Sequence, residues 1–475
     1  MNTRINKRAF LIPVWLLLWG CNLPQHFAKN ENRTTPSTYR GTQDTANNAS
    51  ISWRSYFSDP ILVALIDTAL QKNQELQMTL QEIAISRNEV RVRKGEYLPF
   101  VGLKAGAGYD KDGHYTWKES VTENTNATTN REALLSNSEF QLRAAASWEV
   151  DIWRKLHNAK KAAMLRYLAS QQGKNYMVTQ LVAEIAGSYY ELVALNNMLD
   201  IINKNVDIQA NALHVIQLQK ESAKANELAV NRFEAQLLHT QNLQYDIKQR
   251  ITETENKINY LVGRFPQHIP VEPSRLNDLV VFPLHEGVPS QLLVNRPDVR
   301  LAELNLEAAK LDVKVARANF FPSLNIQSGV GFNAFHPQFL INPESIIYSL
   351  AGDLMAPLIN RNAIKAAYNS ANAKQIQAAY NYEQRILNAY VEVVNQLAKN
   401  DNLSKSYDTK SREVNILTQS ILIADNLYKS ARADYIEILT TQREALESKM
   451  DLVEIRMQQL NARIAMYRAL GGGWQ

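Results

Sequence analysis

The sequence predicts an α+β protein, mostly helical, in which one helix–hairpin–helix unit occurs twice. Three observations carry this. Residues 288–332 fuse a helical apolar period to a strand period at Pro322. The same fused pattern stands 223 residues upstream without a gap. Four segments alternate with period two, each beside long helical stretches, and no other strand-rich stretch exists to pack on them.

The helix before Pro322 has two apolar seams. Val299, Ala302, Leu306, Ala309, Val313 and Ala316 step by three and four; so do Leu301, Leu304, Ala308, Leu311, Val315 and Ala318. The seams lie roughly 160° apart. A surface helix of a globular domain has one stripe, so this helix expects a neighbour on each side. One polar strip between the seams carries Arg300, Glu303, Glu307, Lys310, Lys314 and Arg317. The other carries Asp298, Asn305 and Asp312, seven apart, and suits the lining of a water-filled lumen. After Pro322, Leu324, Ile326, Val330 and Phe332 alternate with Asn325, Gln327, Gly329 and Gly331, a strand with one apolar face. Tyr97-Leu98-Pro99 lies on Phe320-Phe321-Pro322 in the upstream copy.

The chain then divides as follows. Residues 1–20 carry Arg4, Lys7 and Arg8, no acid, and an apolar run from Ala9 to Trp19, which reads as a secretory signal. Residues 21–50 read as a flexible tether, rich in Asn and Thr. The first repeat spans 51–263. Ser58 or Asp59 caps a helix with Pro60 at its first position, and that helix continues to Lys94. Strands follow at about 96–109 and 140–153, separated by a polar loop. In the second strand, Leu142, Ala144, Ala146, Trp148 and Val150 alternate with Arg143, Ser147 and Glu149. Helix runs from about Leu156 to Val262 with a break at Lys220–Asn226. A linker rich in proline covers 264–288. The second repeat spans 289–475, with a helix from Leu292, strands at about 320–332 and 346–358, and helices broken near Ser430–Asp434.

Composition excludes several classes. No apolar run reaches the ~18 residues of a spanning helix, whereas alternation hides a membrane strand from hydropathy. The formal charge of +5 includes the three cations of the signal, so nucleic acid is not an expected partner. Eight scattered histidines and one cysteine show no metal-ligand spacing. No nucleophile motif or phosphate loop occurs, so neither a metal, a cofactor nor an enzymatic activity is expected. Cys21, after Leu18-Trp19-Gly20, is similar to the acylation site of bacterial lipoproteins. That likeness implies cleavage before Cys21 and lipid attachment there, and Asn22 in place of aspartate favours the outer membrane.

Four strands cannot close a barrel with an interior, since about eight is the small limit. An open apolar sheet leaves edges and a face unsatisfied. The strands are therefore pooled between chains, eight for two chains or twelve for three, in a cyclic oligomer of undetermined order.

The chain resembles the TolC-like outer-membrane factors of bacterial tripartite efflux and type I secretion systems, nearer the lipid-anchored branch serving RND-type pumps. The residues that carry the likeness are Trp53, Phe57, Asp59 and Pro60; Trp148-Glu149-Val150-Asp151; Arg296-Pro297-Asp298-Val299; Phe320-Phe321-Pro322; Ala356-Pro357-Leu358; Asp434-Tyr435 with Gln442-Arg443; and Ala469-Leu470-Gly471-Gly472-Gly473-Trp474. The resemblance implies a homotrimer whose transmembrane β-barrel lies in outer-membrane lipid. A long periplasmic α-helical barrel continues from it, with an adaptor and an inner-membrane pump as partners. Arg143, Glu149 and Gln327 then face water inside the barrel. The break at 430–440 corresponds to the periplasmic gate, with Arg432, Asp434, Glu437 and Thr440 as candidates. Thr440 stands where the family often has an aspartate, which weakens an acidic ring; Arg432 pairs instead with an acid of a neighbouring helix. The competing reading is a coiled-coil structural lipoprotein of the periplasm without a pore, which has no use for four alternating strands.

Overall fold

The computed structural model describes residues 29–39, 45–111, 136–272, 276, 285–357, 359–430 and 432–474. In chain order the elements are α1 (Trp53–Tyr56), α2 (Pro60–Lys72), α3 (Gln74–Tyr97), β1 (Phe100–Lys111), β2 (Ser136–Val150), α4 (Lys155–Glu221) and α5 (Glu227–Val262). After them come α6 (Leu292–Asn295), α7 (Pro297–Ala318), β3 (Ser323–Ala334), β4 (Ile346–Met355), α8 (Asn362–Lys429) and α9 (Tyr435–Ala469). Both ends of β1 and β3 are 223 residues apart. Helices α4 and α8 have 67 and 68 residues, and α5 and α9 have 36 and 35. Neither α4 nor α8 contains a proline, so nothing interrupts roughly 100 Å of helix in each.

The chain forms two compact units, and they are not the two repeats. Each takes segments from both halves of the sequence. The first comprises residues 84–168 and 304–380 with the described residues before Glu31. It holds one antiparallel sheet in the order β1-β2-β3-β4. Val313, Ala316 and Phe320, at the end of α7, are buried against Tyr368 of α8. The Phe320 and Tyr368 rings meet edge to face at 5.9 Å.

The second unit comprises residues 31–83, 169–303 and 381–475. Its core is built on Leu62, Ile66, Ile185, Tyr189, Leu192 and Ile258. Each such side chain is worth about 1.5–3 kcal/mol of burial. Asp59 is the cap of α2: its carboxylate accepts from the Ile61 amide at 2.8 Å and from the Tyr189 hydroxyl at 2.9 Å.

Several boundaries differ from the sequence reading. The first long helix does not continue to Lys94. It breaks at Asn73, whose side chain accepts from the Leu76 amide and donates to the Leu261 carbonyl, both at 2.9 Å. An asparagine that satisfies two backbone groups locally makes a helix junction without a proline. Residues 96 and 97 stay helical, so β1 starts at Phe100; β2 starts at Ser136 and ends at Val150, before a turn. The helix from Leu292 is interrupted at Arg296 before Pro297. Strand β3 starts after Pro322 and runs on to Ala334, two residues past its expected end, and β4 stops at Met355, short of Pro357.

The expected flexible tether is docked over its described part. Within the second unit, Arg33 pairs with Glu303 at 3.1 Å, Tyr39 stacks on Tyr390 at 5.6 Å, and the Asn48 amide donates to the His285 carbonyl at 3.1 Å. Single polar and aromatic contacts hold this segment, so it shows no apolar period in the sequence.

Candidate functional site

The register of the sheet sorts every side chain. Leu142 stands between Ala105 and Phe332, Ala144 between Leu103 and Val330, Trp148 next to Ile326, and Val150 next to Leu324. On β4 the same face continues with Ile346, Tyr348, Leu350 and Leu354. As far as the Tyr109–Ser138 pair, and apart from Ser138 and Ser328, this face is apolar, yet it is open: Leu103 is 83% exposed, Tyr348 87% and Leu350 79%. An exposed apolar surface of this extent needs a nonaqueous neighbour. At its end, Trp153 stacks on Phe321 with centroids 4.6 Å apart, and the Trp153 indole donates to the Pro322 carbonyl at 2.7 Å. Aromatic rings with a polar tip suit a membrane–water boundary.

The opposite face carries Lys104, Gln141, Arg143, Glu149, Asn325 and Gln327, with glycines between them. Arg143 donates to the Ser349 hydroxyl at 2.7 Å, crossing the intervening strand. Its path runs over Gly329 and Gly331. A Cβ added at Gly331 would lie 2.6 Å from the Arg143 Cα, so the glycine keeps this face thin where the arginine lies. Glu149 pairs with Lys155, and Gln327 is exposed. The six polar residues share one face, the alternation expected of a barrel strand with water inside.

In the second unit, two helix breaks lie side by side. Ile216, Ala229, Val230 and Phe233, around the α4–α5 break, are packed by Tyr428, Tyr435 and Leu439, around the α8–α9 break. The Tyr428 hydroxyl donates to Gln219 at 2.5 Å. Burial raises the Tyr428 phenol above its usual range, so it stays protonated and keeps that bond. The two breaks are secured differently. Asn226 caps α5, accepting from the Ala229 amide at 2.9 Å. Asp434 opens α9 with no side-chain capping bond. Arg432 is exposed and makes no ion pair among the described residues; its backbone amide donates to Leu427 at 2.9 Å. Glu437 is exposed, and Thr440 is half-buried.

Along α7 the first apolar seam is buried at all six positions, and the second is mostly half-buried. Asn305 is exposed, and Asp312, half-buried, pairs with Arg166. Asp298 departs from the strip. It is 8% exposed and held by Arg296 through two bonds, Nε–Oδ1 at 3.0 Å and Nη2–Oδ2 at 2.9 Å. Arg296 also binds Glu392 and the Ala469 carbonyl, each at 2.8 Å. Burial disfavours its charge, but the bonds and charges of Asp298 and Glu392 outweigh burial and hold it protonated well above its usual range. A carboxylate this enclosed belongs to a structural ion network, which corrects its assignment to an open lumen strip.

The sequence profile of the family described as "Outer membrane efflux protein" matches residues 65–264 and 288–472. The chain belongs to that family. As an outer membrane efflux protein it is a channel of the outer membrane, with its helical part in the periplasm. The Cation efflux system protein CusC of Escherichia coli is 26% identical over 97% of this chain and 98% of its own length. The Pyoverdine export outer membrane protein OpmQ of Pseudomonas aeruginosa is 27% identical over 99% and 97%. A solved structure of CusC superposes with a TM-score of 0.82 at 23% identity, covering 94% of this chain and 99% of that one. The open state of the MtrE outer membrane channel of Neisseria gonorrhoeae gives 0.83 at 21% identity over 95% and 98%. These likenesses show the fold, and a coiled-coil rod without a pore does not describe it.

Reading residues singly found the two faces of the sheet but missed other contacts in this outer membrane efflux protein. Arg143 and Ser349 meet across β3, and Tyr428 joins Gln219, 209 residues earlier in sequence. No periodicity marks either pair. Cys21 lies outside the described residues.

Proposed function

We propose that three copies pool their four-stranded sheets into one twelve-stranded barrel. This trimer conducts solutes passively from an inner-membrane pump and its periplasmic adaptor to the outside. The observation that carries the reading is the sheet with open edges: β1 and β4 each have one partner, and the apolar face is uncovered. Twelve strands satisfy both edges and turn the apolar face to lipid. Arg143, Glu149 and Gln327 then line the pore, and Asn305 and Asp312 line the helical lumen. The two relatives above are named for cation efflux and for pyoverdine export, so the duct is assigned no substrate preference of its own; a wide wet pore selects little.

Within this reading, residues 1–20 are a cleaved signal, Cys21 carries lipid at the head of the segment 21–50, and the repeats 51–263 and 289–475 flank the linker 264–288. The gate lies at the α8–α9 break. Its support is the missing side-chain cap at Asp434 and the guanidinium of Arg432, which makes no ion pair among the described residues, beside a first break that Asn226 secures. In a closed trimer, like acids brought near the axis repel unless a cation lies between them. Arg432 supplies that cation to a neighbouring Asp434 or Glu437. In planar bilayers the wild type should conduct poorly, and Arg432→Ser should conduct more with unchanged trimer stability. Unchanged conductance in Arg432→Ser, with opening by Glu437→Ala, would reverse the assigned roles.

A further inference from the structure

The sheet-bearing unit contains a second feature that conduction does not use. The ends of α4, α7 and α8 nearest the strands, with Lys29 and Asn30 alongside, enclose a groove of about 590 Å³. Leu165, Leu311 and Val313 give it an apolar floor. Around them stand five cations, Lys29, Lys161, Lys310, Lys314 and Arg317, against one acid, Glu307, which is 2.9 Å from Lys310. Lys161, Lys314 and Arg317 are exposed and make no ion pair among the described residues. Lys310, Lys314 and Arg317 follow one another at four and three positions on a single helix face, where like charges repel. Glu307 offsets the charge of Lys310, and an anion beside Lys314 and Arg317 would offset theirs.

A second, independent observation adds a hydrogen-bond donor to that anionic occupant. Gln375 lines the groove and is 3% exposed. Its amide nitrogen donates to the Lys29 carbonyl at 3.2 Å, but its oxygen accepts from no donor among the described residues. A buried acceptor without a donor is a cost that a ligand hydroxyl or ammonium removes. The position along the chain supplies the third argument. Arg317 lies six residues before the start of β3, and the stacked Trp153 and Phe321 mark the end of the sheet in the same unit. From Lys310 to Arg317 the helix rises about 10 Å, enough to cross a headgroup layer of roughly 5–8 Å.

We propose that this groove binds the headgroup of an anionic phospholipid. The phosphodiester rests among Lys161, Lys314 and Arg317, and a headgroup hydroxyl donates to Gln375 Oε1. The proposal rests on reading the sheet as the membrane-spanning part, and its test separates the two.

The full-length oligomer, purified in detergent, is titrated with phosphatidylglycerol, phosphatidic acid, phosphatidylcholine or inorganic phosphate, and bound molecules are counted by native mass spectrometry. The wild type should retain phosphatidylglycerol over phosphatidylcholine. Lys161→Gln, Lys314→Gln and Arg317→Gln should each weaken that retention about fivefold. The exposed controls Lys224→Gln, Arg232→Gln and Lys399→Gln should not. Gln375→Leu should lose the preference for phosphatidylglycerol over phosphatidic acid while still binding both. Retention unchanged in the triple variant, which combines Lys161→Gln, Lys314→Gln and Arg317→Gln, would overturn the site. So would inorganic phosphate binding as tightly as the lipid, which would make it a free-anion site. Dissociation of the triple variant into monomers would overturn it as well, by making the groove a contact between copies. The part of the tryptophan quenching by brominated acyl chains that Trp148→Phe removes reports on the sheet alone. Its presence with no headgroup preference would sink only the groove proposal, and its absence in the wild type would sink the membrane reading beneath it.

Discussion

Arg296 is two residues from the carboxylate it grips, and its third contact is the carbonyl of Ala469 at the other end of the second unit's sequence. One guanidinium thereby ties the start of α7 to α8 and α9. Its planar fork meets Asp298 with two parallel bonds, which a lysine cannot reproduce. Arg296→Met should therefore destabilise the fold by about 3–5 kcal/mol, because it strands a buried carboxylate. The midpoint of urea unfolding, followed by helical circular dichroism, reads this directly. Arg296→Lys should recover only part of the loss; full recovery would mean that charge alone matters. The sequence did show this residue as part of a motif, but not what it holds. Spacing reveals that Asp298, Asn305 and Asp312 share a helix strip; it does not reveal that an arginine just outside the strip folds back over the first of them.

At the scale of the element, the sheet makes the sharpest demand. Ile326 stands between Trp148 and Gly352 on the apolar face, and Gln327 between Ser147 and Ala351 on the other. An arginine at Ile326 should cost roughly 2–4 kcal/mol in the membrane, and one at Gln327 far less. The yield of heat-resistant oligomer for Ile326→Arg against Gln327→Arg measures the difference, and equal losses would mean that the faces are assigned the wrong way round. These faces were legible because a strand repeats every two residues, so a few side chains determine the rest. Pro322 was legible too, since it excludes helix wherever it stands. The junction at Asn73 was not: it depends on one side chain finding the Leu261 carbonyl, a partner 188 residues away. The docking of residues 31–39 was hidden for the same reason, being made of single contacts such as Arg33 to Glu303.

For the whole molecule, duplication was readable as an offset of 223 residues, but the compact units were not, because each draws on both halves of the chain. The proposed lipid anchor at Cys21 also belongs to this scale, since it would decide where the protein resides. Cys21→Ser should abolish palmitate labelling, and equal labelling of the variant would remove the lipoprotein assignment. The open sheet edges have a further, genetic consequence. If each barrel is shared among three chains, a chain with a spoiled strand also disables the two sound partners it joins. In a cell making equal amounts of sound and faulty chains that mix freely, only about one barrel in eight would be built wholly of sound ones. A defect in β1 or β4 that still permits association would then be dominant, whereas a defect that prevents folding outright would be recessive.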